Sequence, residues 1–290
     1  MKITKNKINI EDIYSWLLPA LLTEKEIVFE GKKDFIDPSF WAVLYCEKFR
    51  RTAKKENLDI VVDKKFQKSP GYKYFLKITD RTSSYTTISL KSIKTTNRDD
   101  ADVFAKEVVG LMGVEDLNFV SYLNYIVGEL ITNAVDHSDS ISETVCTGQL
   151  FPVGNYSEIV VVDAGVGFYK TIKKAYKDIE KDDDAIEKAI QKGVRGYTTN
   201  RGRYSIYKNA GMGLYFISTM LKKFDGFLKI ISGKGILTQT GNKIYKDYSE
   251  NEIWNGSIVI VRLYHKNFSI LSLEEFLKEM RSEDKEEEIF

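Results

Sequence analysis

The sequence predicts an α/β protein in two parts. A small layered unit over residues 1–95 precedes a larger part over 96–265 whose strands are mainly antiparallel, and a helix and acidic tail close the chain over 266–290. Three observations predict this. Helical and strand-like segments alternate from residue 8 to residue 90. Apolar runs bounded by turn residues, such as Ser157 to Val162 (SEIVVV) and Ser257 to Tyr264 (SIVIVRLY), recur in the second half. Between the two halves lies a two-faced helix, Tyr125 to Ser138 (YIVGELITNAVDHS).

In chain order, Ile8 to Leu22 has helical spacing and Glu26 to Glu30 alternates like a strand. A helix should start at Asp37, a good N-cap, with Pro38 at the first helical position and Phe40, Val43, Leu44 and Phe49 forming its apolar stripe. Leu58 to Val62 reads as a buried strand, Tyr72 to Ile78 is compatible with a helix, and Thr86 to Leu90 reads as a third strand of the N-terminal unit. The polar stretch Lys91 to Asp100 is the expected linker. Beyond it come helices over Ala101 to Met112 and Leu117 to Ser138, then strands over Thr144 to Phe151 and Ser157 to Val162 joined by the turn Pro152 to Asn155. Mixed charge over Tyr169 to Lys192 suggests helix, and Gly193 to Gly211 is basic and Gly-rich without apolar period. A helix over Met212 to Phe224, a strand over Phe227 to Ser232, a hairpin around Gly241-Asn242 and the strand Ser257 to Tyr264 follow. Leu273 to Arg281 reads as the last helix, and EDKEEEIF as a solvated acidic tail.

Composition narrows the function classes. With 290 residues and 43% apolar content the chain can bury two modest cores. The formal net charge of +1 and scattered basic residues give no general attraction to nucleic acid or anionic membrane, so neither is expected as a partner. Cys46 and Cys146 lack metal spacing, and with two His residues a structural zinc site is not expected. No run reaches the roughly 18 apolar residues of a membrane span, and the expectation is a soluble, cytoplasmic protein.

On the helix Tyr125 to Ser138, Ile126, Val127, Leu130, Ile131, Ala134 and Val135 fill one arc, while Glu129, Thr132, Asn133 and Asp136 fall on the other. A carboxylate and a carboxamide one turn apart can hold a metal-bound water and the metal itself. Downstream, Asp163-Ala-Gly165-Val-Gly167 follows an apolar strand, and Gly211-Met212-Gly213-Leu214 opens a helix. These three motifs, ExxxN, DxGxG and GxGL in that order, resemble those of the GHKL ATP-binding family, which includes gyrase-type topoisomerases, the large heat-shock chaperone, histidine kinases and MutL. His137 extends the first motif to ExxxNAxxH, the form similar to anti-sigma-factor serine kinases. The segment IVFEGKKDFIDPSFWAVLYCEKFRR with LDIVV looks like a STAS domain, although Pro38 stands where regulatory STAS proteins commonly carry a phosphorylatable hydroxyl and Ser39 is one place further on.

The resemblance implies a Bergerat-type α/β sandwich with a mixed, mainly antiparallel sheet that binds ATP and Mg²⁺. Asp163 would accept a hydrogen bond from the adenine amino group, with Gly165 and Gly167 letting the backbone approach the base. Gly211 and Gly213, with Met212 and Leu214, would present backbone N–H groups to phosphates at a helix start. Asn133 would ligate Mg²⁺, and Glu129 would orient or deprotonate the nucleophile. His137 either supports the site or caps helix carbonyls. Gly193 to Gly211 would be the lid, where Thr198 and Thr199 resemble phosphate-contacting threonines and one or two of Lys192, Arg195, Arg201, Arg203 and Lys208 would meet phosphate. Histidine autophosphorylation is disfavoured, because the only other His, His265, follows the last strand. A gyrase- or MutL-like machine is a third, disfavoured reading, because its transducer domain would need many residues after Tyr264 and the formal net charge is only +1. What remains is a slow ATPase or protein serine/threonine kinase acting on a regulatory protein partner, or a module that binds nucleotide without turnover. A second copy of the chain is a candidate partner as well. Ser39 reads as a helix-start hydroxyl in preference to a phosphoacceptor.

Overall fold

The structure, a computed structural model, describes residues 1–69, 72, 87–93, 98–111, 114–137, 142–194, 212–268 and 271–287. Seven strands form one antiparallel sheet: β6 (Thr87–Ile93), β7 (Thr144–Phe151), β8 (Tyr156–Asp163), β9 (Phe227–Gly233), β10 (Gly235–Thr240), β11 (Lys243–Tyr248) and β12 (Trp254–Tyr264), in the order β11-β10-β9-β12-β8-β7-β6. Every neighbouring pair is antiparallel, so the mixed sheet expected from the family resemblance is corrected to a purely antiparallel one. The reason is connectivity: the strand pairs β7–β8, β9–β10 and β10–β11 are joined by short turns, which force reversal.

The N-terminal unit is built differently. Strands β1 (Lys2–Ile3), β3 (Glu26–Phe29) and β5 (Asp59–Val62) form a parallel sheet in the order β1-β3-β5, and β2 (Lys7–Ile8) pairs in parallel with β4 (Phe35–Ile36). The first helix, α1, spans residues 10–23, with a π-helical stretch at Ile13–Leu17 where Leu18 N–H bonds to the Ile13 carbonyl. Pro19, just beyond, has no N–H to continue an α-helical ladder. Helix α2 (Pro38–Ala53) starts as its sequence predicts, with the Asp37 carboxylate accepting from Ser39 N–H at 3.0 Å. Ser39 is fully buried and its hydroxyl bonds to the same carboxylate, so it is a helix-start residue and is not presented to solvent.

Two expectations at the junction change. The third strand assigned to the N-terminal unit, β6, is instead the edge of the large sheet, pairing Lys91 with Cys146 and Ile93 with Thr144. The linker expected over Lys91 to Asp100 is therefore strand to Ile93 and helix α3 (Arg98–Leu111) from Arg98. Polar residues are normal on an edge strand, where they discourage further pairing. Tyr72 to Ile78 lies outside the described residues except for Tyr72.

The second half carries α4 (Leu117–His137), α5 (Gly167–Ala175), α6 (Asp182–Ala189), α7 (Gly213–Lys223), a short turn of helix α8 (His265–Phe268) and α9 (Leu273–Glu287). The acidic tail expected after the last helix is helical in its first part, as α9 continues to Glu287. Helices α5 and α6 lie against β9, β10 and β11 around Ile172, Ile179, Ala185, Ala189 and Val194, with Lys246 bridging Asp184 at 2.8 Å and Glu187 at 2.7 Å.

Both faces of the large sheet are covered. Ile159 and Val161 of β8 point into a core with Ile126, Leu130, Phe216 and Ile217 of α4 and α7. Val160 and Val162 point the other way, into a core with Phe40, Trp41 and Leu44 of α2. Alternation along a strand sends successive residues to opposite faces, so four consecutive apolar residues on β8 record two buried faces. No helix among the described residues is long and apolar enough to cross a membrane.

Candidate functional site

Helix α4 begins under the Asp116 side chain, which accepts from Asn118 N–H at 2.9 Å and Phe119 N–H at 3.0 Å. Its apolar arc buries Ile126, Val127, Leu130 and Ile131, which leaves Glu129, Thr132 and Asn133 half-buried on the other side. Glu129 reaches the start of α7. A Cβ on Gly213 would stand 2.0 Å from Glu129 Oε2 and 2.9 Å from its Cδ, so the carboxylate occupies the space a side chain there would take. The first residues of α7 have N–H groups without an intrahelical acceptor, and Phe216 N–H is bonded to the Met212 carbonyl at 2.8 Å. Glu129 therefore sits at the positive end of α7. One turn along α4, the Nδ2 of Asn133 is buried with no hydrogen-bond partner among the described residues. A buried amide left so costs about 1–3 kcal/mol, which makes it a natural place for a ligand or its bound solvent.

Asp163 ends β8 and is buried. Its Oδ1 accepts from Gly165 N–H at 2.8 Å, and its Oδ2 accepts from the Ser257 hydroxyl. Burial pushes its carboxyl up to about 6, against the pull of the Ser257 and Gly165 hydrogen bonds. Gly167 is left-handed at φ +76°, and a Cβ there would meet Ser232 Oγ at 2.6 Å and the Gly256 carbonyl oxygen at 3.1 Å. Only glycine satisfies both the dihedral and the contact. Phe168 and Leu214 pack against the same two apolar clusters, which ties the end of the DxGxG turn to the start of α7.

The structure thus brings Glu129 and Gly213 together from motifs far apart in sequence, and places Asn133 on the same helix and Asp163, Gly165 and Gly167 in one turn at the end of a strand against which α4 packs. Met212 is the N-cap of α7 and Leu214 is half-buried beside it. His137 is the last residue of α4, and its side chain lies outside the described residues, as do Thr198, Thr199, Gly211, Arg195, Arg201, Arg203 and Lys208 entirely; Lys192 is exposed at the described edge of that segment. His265 opens the short helix α8 after β12, its ring lies 4.6 Å from that of Phe119 at a tilt of 56°, and it shares a 2.8 Å hydrogen bond with Ser157. No group of three or more His, Cys, Asp or Glu side chains among the described residues could hold a metal ion. A cation here would need phosphate or solvent oxygens besides Asn133.

Ser257, Ser232 and Trp254 were not singled out from sequence. The signal was present: Gly256 inside an otherwise strand-like apolar stretch marks a bulge or a close backbone approach. No protein-family model matches the chain, and no curated protein matches it in sequence.

Proposed function

We propose that this chain is an ATP-binding regulatory protein of the GHKL, histidine-kinase-like type, nearest in its helix motif to the anti-sigma-factor serine kinases. The reading places adenine at Asp163, whose deprotonated carboxylate is a strong acceptor for an exocyclic amino group. Gly165 and Gly167 keep the adjoining backbone free of side chains. The N–H groups at the start of α7 would face phosphates, and Asn133 would hold Mg²⁺ through its carboxamide oxygen together with those phosphates. Bound Mg²⁺ would neutralise phosphate charge. Glu129 would orient or deprotonate the attacking hydroxyl, either water or a protein Ser/Thr. The single observation that carries the reading is the close approach of Glu129 to Gly213, because it brings together two motifs that the resemblance assigns to one phosphate site. The N-terminal unit, STAS-like in this reading, would be a docking module for a regulatory protein partner, since Ser39 is buried.

A non-catalytic, nucleotide-gated binding module is the second reading. The observation in its favour is that Glu129 at the positive end of α7 would stabilise that helix without any chemistry. Incubation with γ-labelled ATP and Mg²⁺, following free phosphate and protein-bound label beside Glu129→Ala, separates the two. Glu129-dependent release or transfer of phosphate, abolished by chelator, is the expected result. ATP binding with identical behaviour of wild type and variant would assign the binding module, and no ATP binding at all would remove the family reading.

A further inference from the structure

Strand β12 does not run straight past Asp163. From Trp254, paired with Gly233, to Ile258, paired with Ile231, it takes four steps where β9 takes two, so it bulges at the level of the Asp163 turn. At Gly256 in this bulge, φ is +130°, and a Cβ would stand 2.2 Å from the Asp163 carbonyl oxygen and 2.8 Å from Gly165 N. The bulge backbone therefore lies directly on the turn. Its two flanks are tied down by side chains. Trp254, buried, donates its indole N–H to the Asp163 carbonyl at 2.7 Å. Ser232, fully buried on β9, donates its hydroxyl to the Gly256 carbonyl at 2.6 Å and accepts from Phe168 N–H at 3.0 Å. One end of the turn at Asp163 and the other at Phe168 are thus held from neighbouring strands, by groups that do not contact the Asp163 carboxylate in any hydrogen bond described.

We propose that Trp254 and Ser232 are positioning residues that clamp the 163–168 turn, so that the Asp163 carboxylate and the glycine backbone are preformed for the purine. The nucleotide consequence rests on the ATP reading above; the clamp itself does not. Strand bulges are a recurrent means of aiming groups at a site, and a preformed turn spares the ligand the cost of ordering it.

The test uses Trp254→Phe, which removes the indole N–H together with part of the buried ring, and Ser232→Ala, which removes the hydroxyl alone. Amide hydrogen exchange of the 163–168 segment is measured in both, with ATP affinity over a range of pH. The expected result is faster exchange in that segment and ATP binding weaker by about tenfold per lost hydrogen bond. The pH at which binding is half-lost should move upward, because a relaxed turn loosens the Gly165 N–H that favours the ionised carboxylate. A general loss of stability would not move that midpoint. Unchanged exchange in both variants overturns the clamp, and faster exchange with unaltered affinity and midpoint overturns its role in preforming the site. If the wild type binds no ATP, the ATP reading falls while faster exchange still upholds the clamp. Ser232→Ala, the smaller change, decides the matter alone should Trp254→Phe not fold.

Discussion

A carboxylate at the end of a strand, walled by apolar side chains, is costly unless something rewards it. The Asp163 carboxylate accepts from Gly165 N–H and the Ser257 hydroxyl, yet it is still raised to about 6 by burial. Two effects of opposite sign follow. The ionised form is the better acceptor for an amino group, so ATP affinity should weaken as pH falls through about 6, by on the order of tenfold per unit well below it. Because the folded-state value lies above the ordinary Asp value, the group's contribution to stability is present in full below the unfolded value and is lost as pH rises through about 6. Asp163→Asn can keep an oxygen for Gly165 N–H and turn its amide towards the Ser257 hydroxyl, which can accept. The variant should therefore bind ATP at least tenfold more weakly at pH 7.5, lose the acid-side pH dependence, and melt no lower than wild type. Calorimetric titration beside thermal denaturation checks all three. A variant that loses stability and affinity together would mean that the carboxylate is there for the fold.

At the scale of elements, the decisive approach is that of α4 to α7 at Gly213. The clash of an added methyl would be with the end of the Glu129 side chain, which can swing away, and not with backbone. Gly213→Ala should therefore leave the melting temperature within a few degrees, helped by alanine's better helix propensity of up to about 1 kcal/mol. It should also displace the Glu129 carboxylate and lower turnover by at least about tenfold, towards the Glu129→Ala level. Turnover at the wild-type rate would take Glu129 out of the chemistry. This contact was legible in sequence only as the co-occurrence of two motifs; their adjacency belongs to the tertiary structure. Elements fixed by local chemistry read correctly: the Asp37-Pro38 helix start, and the β10–β11 hairpin around Gly241-Asn242, with Gly241 at φ +51°. Strand β6 was recognisable as a strand but not as part of the large sheet, because its partner β7 lies some fifty residues on and nothing local encodes the pairing. The bulge at Gly256 was foreshadowed by one glycine, but the residues it aims, Trp254 and Ser232, become neighbours of Asp163 only when β12, β8 and β9 are in register.

Over the whole molecule, the N-terminal unit and the large sheet share one apolar core, and charged groups interrupt it. Arg262 of β12 donates to Glu158, its register partner on β8, at 2.5 Å, and stands 3.9 Å from Asp37 at the start of α2. On β9, Lys229 donates to the Tyr14 hydroxyl of α1 at 3.2 Å. One guanidinium thus faces two buried carboxylates. Burial, with the neighbouring Asp37 carboxylate, pushes Glu158 up to about 8 despite Arg262, so near neutrality it is largely protonated. The sign follows from linkage: a raised acid contributes stability that is complete below its unfolded value and is lost as pH rises through about 8. A glutamine side chain in its place would keep an acceptor oxygen for Arg262 and carry no ionisable proton, so Glu158→Gln removes this titration together with its electrostatic effect on Asp37, while Asp163 titrates alike in both proteins. The stability of Glu158→Gln relative to wild type should rise between pH 5.5 and 8 by roughly 1 kcal/mol per unit and level off above it. Because the core is continuous across the two parts, the shift should appear in a single unfolding transition in urea. A difference that stays constant with pH would mean that Glu158 is ionised throughout and that Arg262 is its full partner. A second transition moving alone would mean that the N-terminal unit unfolds apart from the sheet it covers.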